Sequence, residues 1–330
     1  MEKNVLVEST PGSSLRGWVV PLAAVACLWP RVPAVAALLG GAALGLAGLN
    51  TRPRLTARTA HLLLQISVVA LGASLPLAQI ARAGLDGLGV TLFSIVATLL
   101  LGRWLGRMMG VPDDTTLLVS GGTAICGGSA IAALAGALRP RTHDVTIALA
   151  TVFLLNGVAL IVFPPIGHAL GLTQRQFGWW AALAIHDTSS VVGAGLAYGS
   201  AALALATTVK LARALWIAPL TLFFSVRRRG EAAPADAGTT AARRPHFPWF
   251  ILGFVAVAAI VTTFPVLAPA AAVVGHGAER MMVVTLFFIG VGFTREALRV
   301  VGVRPLGLGL TLWLIVGSVS LLAIKLGLAG

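Results

Sequence analysis

Ser120-Gly121-Gly122-Thr123-Ala124-Ile125-Cys126-Gly127-Gly128-Ser129-Ala130 lies at the centre of an apolar run from residue 115 to 138. Such a run is long enough for a membrane-spanning helix, which needs roughly 20 apolar residues. Its middle does not suit an unbroken one. Four glycines and three hydroxyl residues in eleven positions weaken a helix badly. Small residues also let helices approach closely, so a packing face is the alternative. Paired glycines flanked by hydroxyls fit a broken helix better. A break inside a bilayer exposes backbone N–H groups and the positive end of a helix dipole, which together bind anions. Transporters use this device near mid-membrane. Thr123, Cys126, Gly127, Gly128 and Ser129 are therefore candidate substrate-binding residues. Cys126 enters by position alone, because a small buried thiol is the default for such a residue.

Outward from this stretch the chain repeats long apolar runs. Of its 330 residues 57% are hydrophobic and 11% charged, and the mean hydropathy is +0.92. A soluble domain carries about 25% charged residues, so a soluble protein is excluded, and so is a disordered one. Barrel strands alternate apolar and polar residues, whereas these runs are unbroken. The composition predicts an all-α polytopic membrane protein forming a single integral membrane domain over residues 1–330. Eleven candidate spans follow: 17–29, 33–49, 60–80, 87–108, 115–138, 144–171, 176–198, 203–225, 247–267, 278–298 and 304–328. The first is short, and ten spans result if it is re-entrant. Residues 1–16 form a polar tail, and 226–246 read as a flexible loop.

The net charge of +13 could suggest nucleic acid. The cations lie between apolar runs, however, where they orient membrane loops. With eleven spans and a cytoplasmic N-terminus, 16 Lys and Arg fall inside and 5 outside, with Arg139 and Arg141 the discordant pair. That split predicts an N-inside, C-outside membrane protein. Cys27 and Cys126, 99 residues apart, give neither a metal pattern nor a disulfide framework. No metal or cofactor is expected, and nothing resembles a nucleotide-binding loop.

A charge inside a span costs roughly 2.5–3.5 kcal/mol and needs a reason. Asp187 alone of the 11 acidic residues falls near the middle of an expected span. It belongs to Ile185-His186-Asp187-Thr188-Ser189-Ser190, the most polar six residues in any span. This run must face protein or a water-filled cavity. The next span carries Lys210 and Arg213, three apart and so on one helix face. A cation pairing with Asp187 for structure alone is one reading. Two cations against one acid leave a positive charge over, which favours an anion site. Ser189, Ser190, Lys210 and Arg213 join the substrate-binding candidates, and His186 and Asp187 are the proton-coupling pair. Asn156 sits mid-span, where an amide most often bonds a neighbouring helix. Further glycine-rich breaks are Leu71-Gly72-Ala73-Ser74-Leu75-Pro76 and Gly290-Val291-Gly292-Phe293-Thr294.

Two faint self-similarities join these segments. Ala124-Ile125-x-x-x-Ser129 matches Ala184-Ile185-x-x-x-Ser189 at an offset of 60, and Gly72, Gly84, Leu88 and Gly89 match Gly290, Gly302, Leu306 and Gly307 at an offset of 218.

The string Ala124-Ile125-Cys126-Gly127-Gly128-Ser129-Ala130-Ile131-Ala132-Ala133 resembles the signature of the YeiH-type transporters, named as sulfate exporters. So do Ile185-His186-Asp187 with Val191-Val192-Gly193-Ala194-Gly195, Lys210-Leu211-x-Arg213 with Ala218-Pro219, and Gly292-Phe293-Thr294. Pro248-Trp249-Phe250 and Trp313-Leu314-Ile315-Val316-Gly317 also fit, in the same order from about residue 33 onward. Where a relative carries Glu after the histidine, this chain has Asp187, with the same charge on a shorter side chain. The family looks like a distant member of the group containing bile-acid:sodium symporters and cation–proton antiporters. The resemblance implies inverted repeats and two broken helices crossing near the bilayer midplane.

The expectation is a secondary active transporter of a small anion: sulfate, sulfite, a sulfonate or a small carboxylate. It would act as a proton-coupled exporter by alternating access. The alternative is a cation–proton antiporter in which Asp187 binds Na⁺ or H⁺. A channel is a lesser reading. An enzyme is not expected, because neither a His-Glu-x-x-His motif nor paired carboxylates occur. The expected partners are the anion, H⁺ or Na⁺ and the lipid bilayer. A homodimer fits this reading, although no stretch marks an interface.

Overall fold

A computed structural model describes residues 12–227, 249–293 and 302–328. Among them there are helices and no strands. The order is α1 (Gly12–Ala26), α2 (Ala34–Leu46), α3 (Pro53–Leu71), α4 (Leu77–Met108), α5 (Asp113–Ala124), α6 (Gly128–Leu138) and α7 (Thr142–Ala169). Then come α8 (Gln174–Ala184), α9 (Thr188–Tyr198), α10 (Ser200–Ala214), α11 (Ile217–Arg227), α12 (Trp249–Thr263), α13 (Ala268–Val291) and α14 (Val303–Lys325). Each of the eleven expected runs coincides with one helix or with a pair of half-helices. By length and composition six helices can cross a membrane: Pro53–Ser74, Leu77–Met108, Thr142–Ala169, Ser200–Arg227, Pro265–Val291 and Val303–Lys325. The remaining runs are held by shorter helices, so length alone does not give eleven crossings. Residues 1–11, the loop from 228 to 246, and Thr294 of the last glycine-rich break lie outside the described residues.

The helices turn apolar side chains outward as well as inward. Leu85, Leu88, Leu92, Val96, Leu100 and Trp104 form an exposed stripe along α4 at helical spacing. A contiguous apolar surface of this kind marks a membrane contact. Inside, glycines bring main chains together. A Cβ on Gly45 of α2 would lie 2.6 Å from the carbonyl oxygens of Val291 and Phe293, and one on Gly290 would strike Leu38 and Ala42. Close backbone approach through small residues is how helices associate where lipid removes the hydrophobic drive.

Several boundaries differ from expectation. α3 runs Pro53–Leu71 against an expected 60–80. α4 begins ten residues early, at Leu77, because Pro76 starts the helix rather than a loop. α13 also begins ten residues early, at Ala268. Pro269 suits a first helical turn, and an alanine run continues it past Gly275 and Gly277. Glu279, expected at a helix end, therefore lies in the middle of α13. The expected span 203–225 is divided at Leu215 and Trp216 into α10 and α11, because Pro219 has no N–H to offer the Leu215 carbonyl.

Candidate functional site

Both polar stretches singled out in the sequence are helix breaks. α5 stops at Ala124 and α6 starts at Gly128; α8 stops at Ala184 and α9 starts at Thr188. Each gap is three residues, 125–127 and 185–187. The offset-60 similarity now has a structural meaning. Ala124 and Ala184 are the last residues of their half-helices, and Ile125 and Ile185 cap them. Ser129 and Ser189 are each the second residue of the following half-helix.

The two gaps form differently. Gly127 has φ +65° and ψ −123°, backbone that a side chain rarely permits. Ile185 and Asp187 are extended and need no glycine. The gaps meet each other: a Cβ built on Gly127 would lie 3.1 Å from the Asp187 Cβ and 3.2 Å from its Cα. A glycine is needed at 127 on both counts.

Breaking a helix strands carbonyls at one side and N–H groups at the other. The carbonyl ends are met by the two cations of α10, both fully buried. Lys210 Nζ donates to the carbonyls of Ile185 at 2.6 Å and Ala182 at 3.3 Å. Arg213 Nε donates to Ala124 at 2.6 Å, and its Nη1 to Leu183 at 2.8 Å and Ala182 at 3.4 Å. Its Nη2 reaches Ser94 Oγ on α4 at 3.2 Å. Arg213 thus touches the C-terminal ends of both α5 and α8. Positive charge at a helix C-terminus opposes the dipole.

Neither cation pairs with Asp187. Among the described residues the salt bridge is Arg141 to Asp144, at 2.9 Å, beside Thr115 at the start of α5. Asp187 instead caps α9, accepting from the Ser189 N–H at 3.0 Å and from the Ser189 hydroxyl. It is partly exposed. The N-terminus of α6 has no side-chain cap, and Ser129 there is exposed.

Three side chains around the breaks are buried without satisfying their polar atoms: Thr123 Oγ1, both ring nitrogens of His186, and Asn156 Nδ2. Such atoms are rare in folded proteins and call for a partner. Asn156 of α7 is drawn in by its other atom, because Oδ1 accepts the Asp187 N–H at 3.0 Å. The structure thus brings Gly127, Gly128, Ser129, His186, Asp187 and Ser189 to one crossing. Lys210 and Arg213 lie on its carbonyl side, and Thr123, Cys126 and Ser190 are buried in the flanking turns and gap. Asn156 and Ser94 complete the set. Asn156 had been readable as a mid-span amide; no sequence signal marked Ser94.

The family model described as Conserved hypothetical protein 698 matches residues 31–309. The chain belongs to this family. Its relatives are named as UPF0324 membrane proteins. One from Bdellovibrio bacteriovorus is 49% identical over 308 residues, 93% of each chain. One from Geobacter sulfurreducens is 44% identical over 315 residues, covering 96% of this chain and 98% of the relative. One from Porphyromonas gingivalis is 47% identical over 294 residues, 88% and 86% of the two chains. No solved structure matches. These relatives are named membrane proteins, and the described residues of this chain form helices of which six are long and apolar enough to cross a membrane.

Proposed function

We propose that this protein is a secondary active transporter of a small anion, working by alternating access and coupled to protons. The observation that carries the reading is the crossing of two helix breaks beside two buried cations and one acid. Lys210 and Arg213 together with Asp187 leave one positive charge over. The uncapped N-terminal end of α6 adds the positive pole of a dipole. An anion between Gly127–Ser129 and Ser189–Ser190 balances both. In this reading Lys210 and Arg213 act on the anion through their field, because the hydrogen bonds they make run to main-chain carbonyls and to Ser94. Asp187, partly exposed and unpaired with a cation, takes up and releases the proton, with His186 beside it.

The sulfate, sulfite, sulfonate or small carboxylate class follows from this charge and from the resemblance to YeiH-type exporters. Export as the direction and a bacterial inner-membrane location are carried by the resemblance. The cytoplasmic N-terminus is carried by the distribution of Lys and Arg between loops, and a non-enzymatic role by the lack of a catalytic motif in the sequence. Cation–proton antiport is the second reading, favoured by the same Asp187, whose carboxylate pairs with no cation among the described residues.

The test is charge movement on a solid-supported membrane with reconstituted protein, against a panel of anions, with and without a pH gradient. Currents that require particular anions and change with pH are expected. Currents that respond to Na⁺ or pH and to no anion overturn the anion reading in favour of antiport.

A further inference from the structure

We infer that Asn156 is a specificity-determining residue: its amide N–H₂ donates to an anionic oxygen seated at the crossing. The inference rests on the transporter reading above and names the group that selects the sign of the substrate's charge.

An Asn amide carries one acceptor oxygen and two N–H donors. Its orientation here is fixed by chemistry, because a backbone N–H, that of Asp187, lies 3.0 Å from Oδ1. Only an acceptor can face a donor, so the N–H₂ group must occupy the opposite position. That group is buried, on a residue 3% exposed, and has no partner among the described residues. A buried amide donor left without a hydrogen bond is a standing cost to the fold.

Geometry places the amide that carries the unmet donor at the crossing. The Asp187 nitrogen that holds Oδ1 lies 3.4 Å from where a Cβ of Gly127 would be. Gly127 opens α6, an eleven-residue helix whose N-terminus has no side-chain cap. An unsatisfied amide donor and an uncapped helix N-terminus therefore share one neighbourhood, and both present N–H groups. A cation needs oxygens, and the amide oxygen is already engaged. An anionic oxygen meets what is left over.

The experiment compares wild type with Asn156→Asp and Asn156→Ala by thermal unfolding in detergent, with added sulfate, sulfite, methanesulfonate, acetate or sodium. Asn156→Asp keeps an acceptor for the Asp187 N–H and removes the donors. Its melting temperature without ligand is expected to fall, because a carboxylate enters a buried site beside Asp187. Binding is therefore read as the shift each anion adds to the variant's own ligand-free value. The anion that stabilises wild type is expected to bind about tenfold or more weakly, the effect of one hydrogen bond to a charged group. Asn156→Ala is expected to lose both stability and anion response. Equal anion stabilisation of wild type and Asn156→Asp overturns the inference and leaves the transporter reading standing. Wild type stabilised by sodium and by no anion overturns both.

Discussion

Gly127 and Asp187, 60 residues apart in sequence, approach so closely that a Cβ on Gly127 would lie 3.1 Å from the Asp187 Cβ and 3.2 Å from its Cα. That approach is where the two interrupted helices meet, and it makes any side chain at 127 a tight fit.

Gly127→Ala is therefore expected to cost at least about 2 kcal/mol, from the disfavoured backbone conformation alone. Thermal unfolding in detergent measures it. Gly136→Ala, in the interior of α6 with nothing within 4 Å of the new methyl, is the control. It is expected to gain up to about 1 kcal/mol from helix propensity. Equal melting temperatures for the two variants would show that the Gly127 geometry is unimportant.

Arg213→Lys keeps the charge and loses the fork. One ammonium cannot reach Ala124, Leu183 and Ser94 together, so buried carbonyls lose partners at about 1–3 kcal/mol each. A fall in stability of about 3 kcal/mol is expected, read as a lower melting temperature or reduced yield of monodisperse protein. A variant as stable as wild type would mean that charge, not hydrogen bonding, is what the site requires.

Asp187→Asn should separate structure from coupling. Asn caps a helix about as well as Asp, so stability is expected to change little. The carboxylate proposed to accept the proton is gone. Anion-dependent currents, where they persist, are then expected to lose their response to a pH gradient. If the response survives, the proton is carried elsewhere, with His186 the next residue to replace.

Accessibility can be read by thiol labelling in a chain with Cys27 and Cys126 replaced by Ala. Ser129 is exposed and its neighbour Ala130 is 1% exposed. Ser129→Cys is expected to react with a small polar maleimide and Ala130→Cys to stay unreacted. Protection of Ser129→Cys by an anion would place that anion at the N-terminus of α6. Labelling of both positions would argue against the described packing.

Much of this was legible in the chain itself. Glycine pairs at 121–122 and 127–128 announce the first break, because no unbroken helix tolerates them cheaply. The run from Ile185 to Ser190 announces the second through its polarity. The three-residue spacing of Lys210 and Arg213 puts them on one face. Their partners were not legible, because the groups they meet are main-chain carbonyls that no residue letter encodes. Sequence reasoning looks for a side chain of opposite charge and finds Asp187; the structure gives Asp187 to the start of α9 instead. The early start of α13 was hidden for a similar reason. Gly275, His276 and Gly277 read as a loop, while the alanines and Pro269 before them carry a helix through.

One guanidinium holds four segments of chain at once: Arg213 of α10 is bonded to α4, α5 and the end of α8. Kinematically, these four pieces have no independent freedom while those bonds persist. Any large displacement in this molecule must carry them as a single rigid block, with slippage confined to surfaces that Arg213 does not pin.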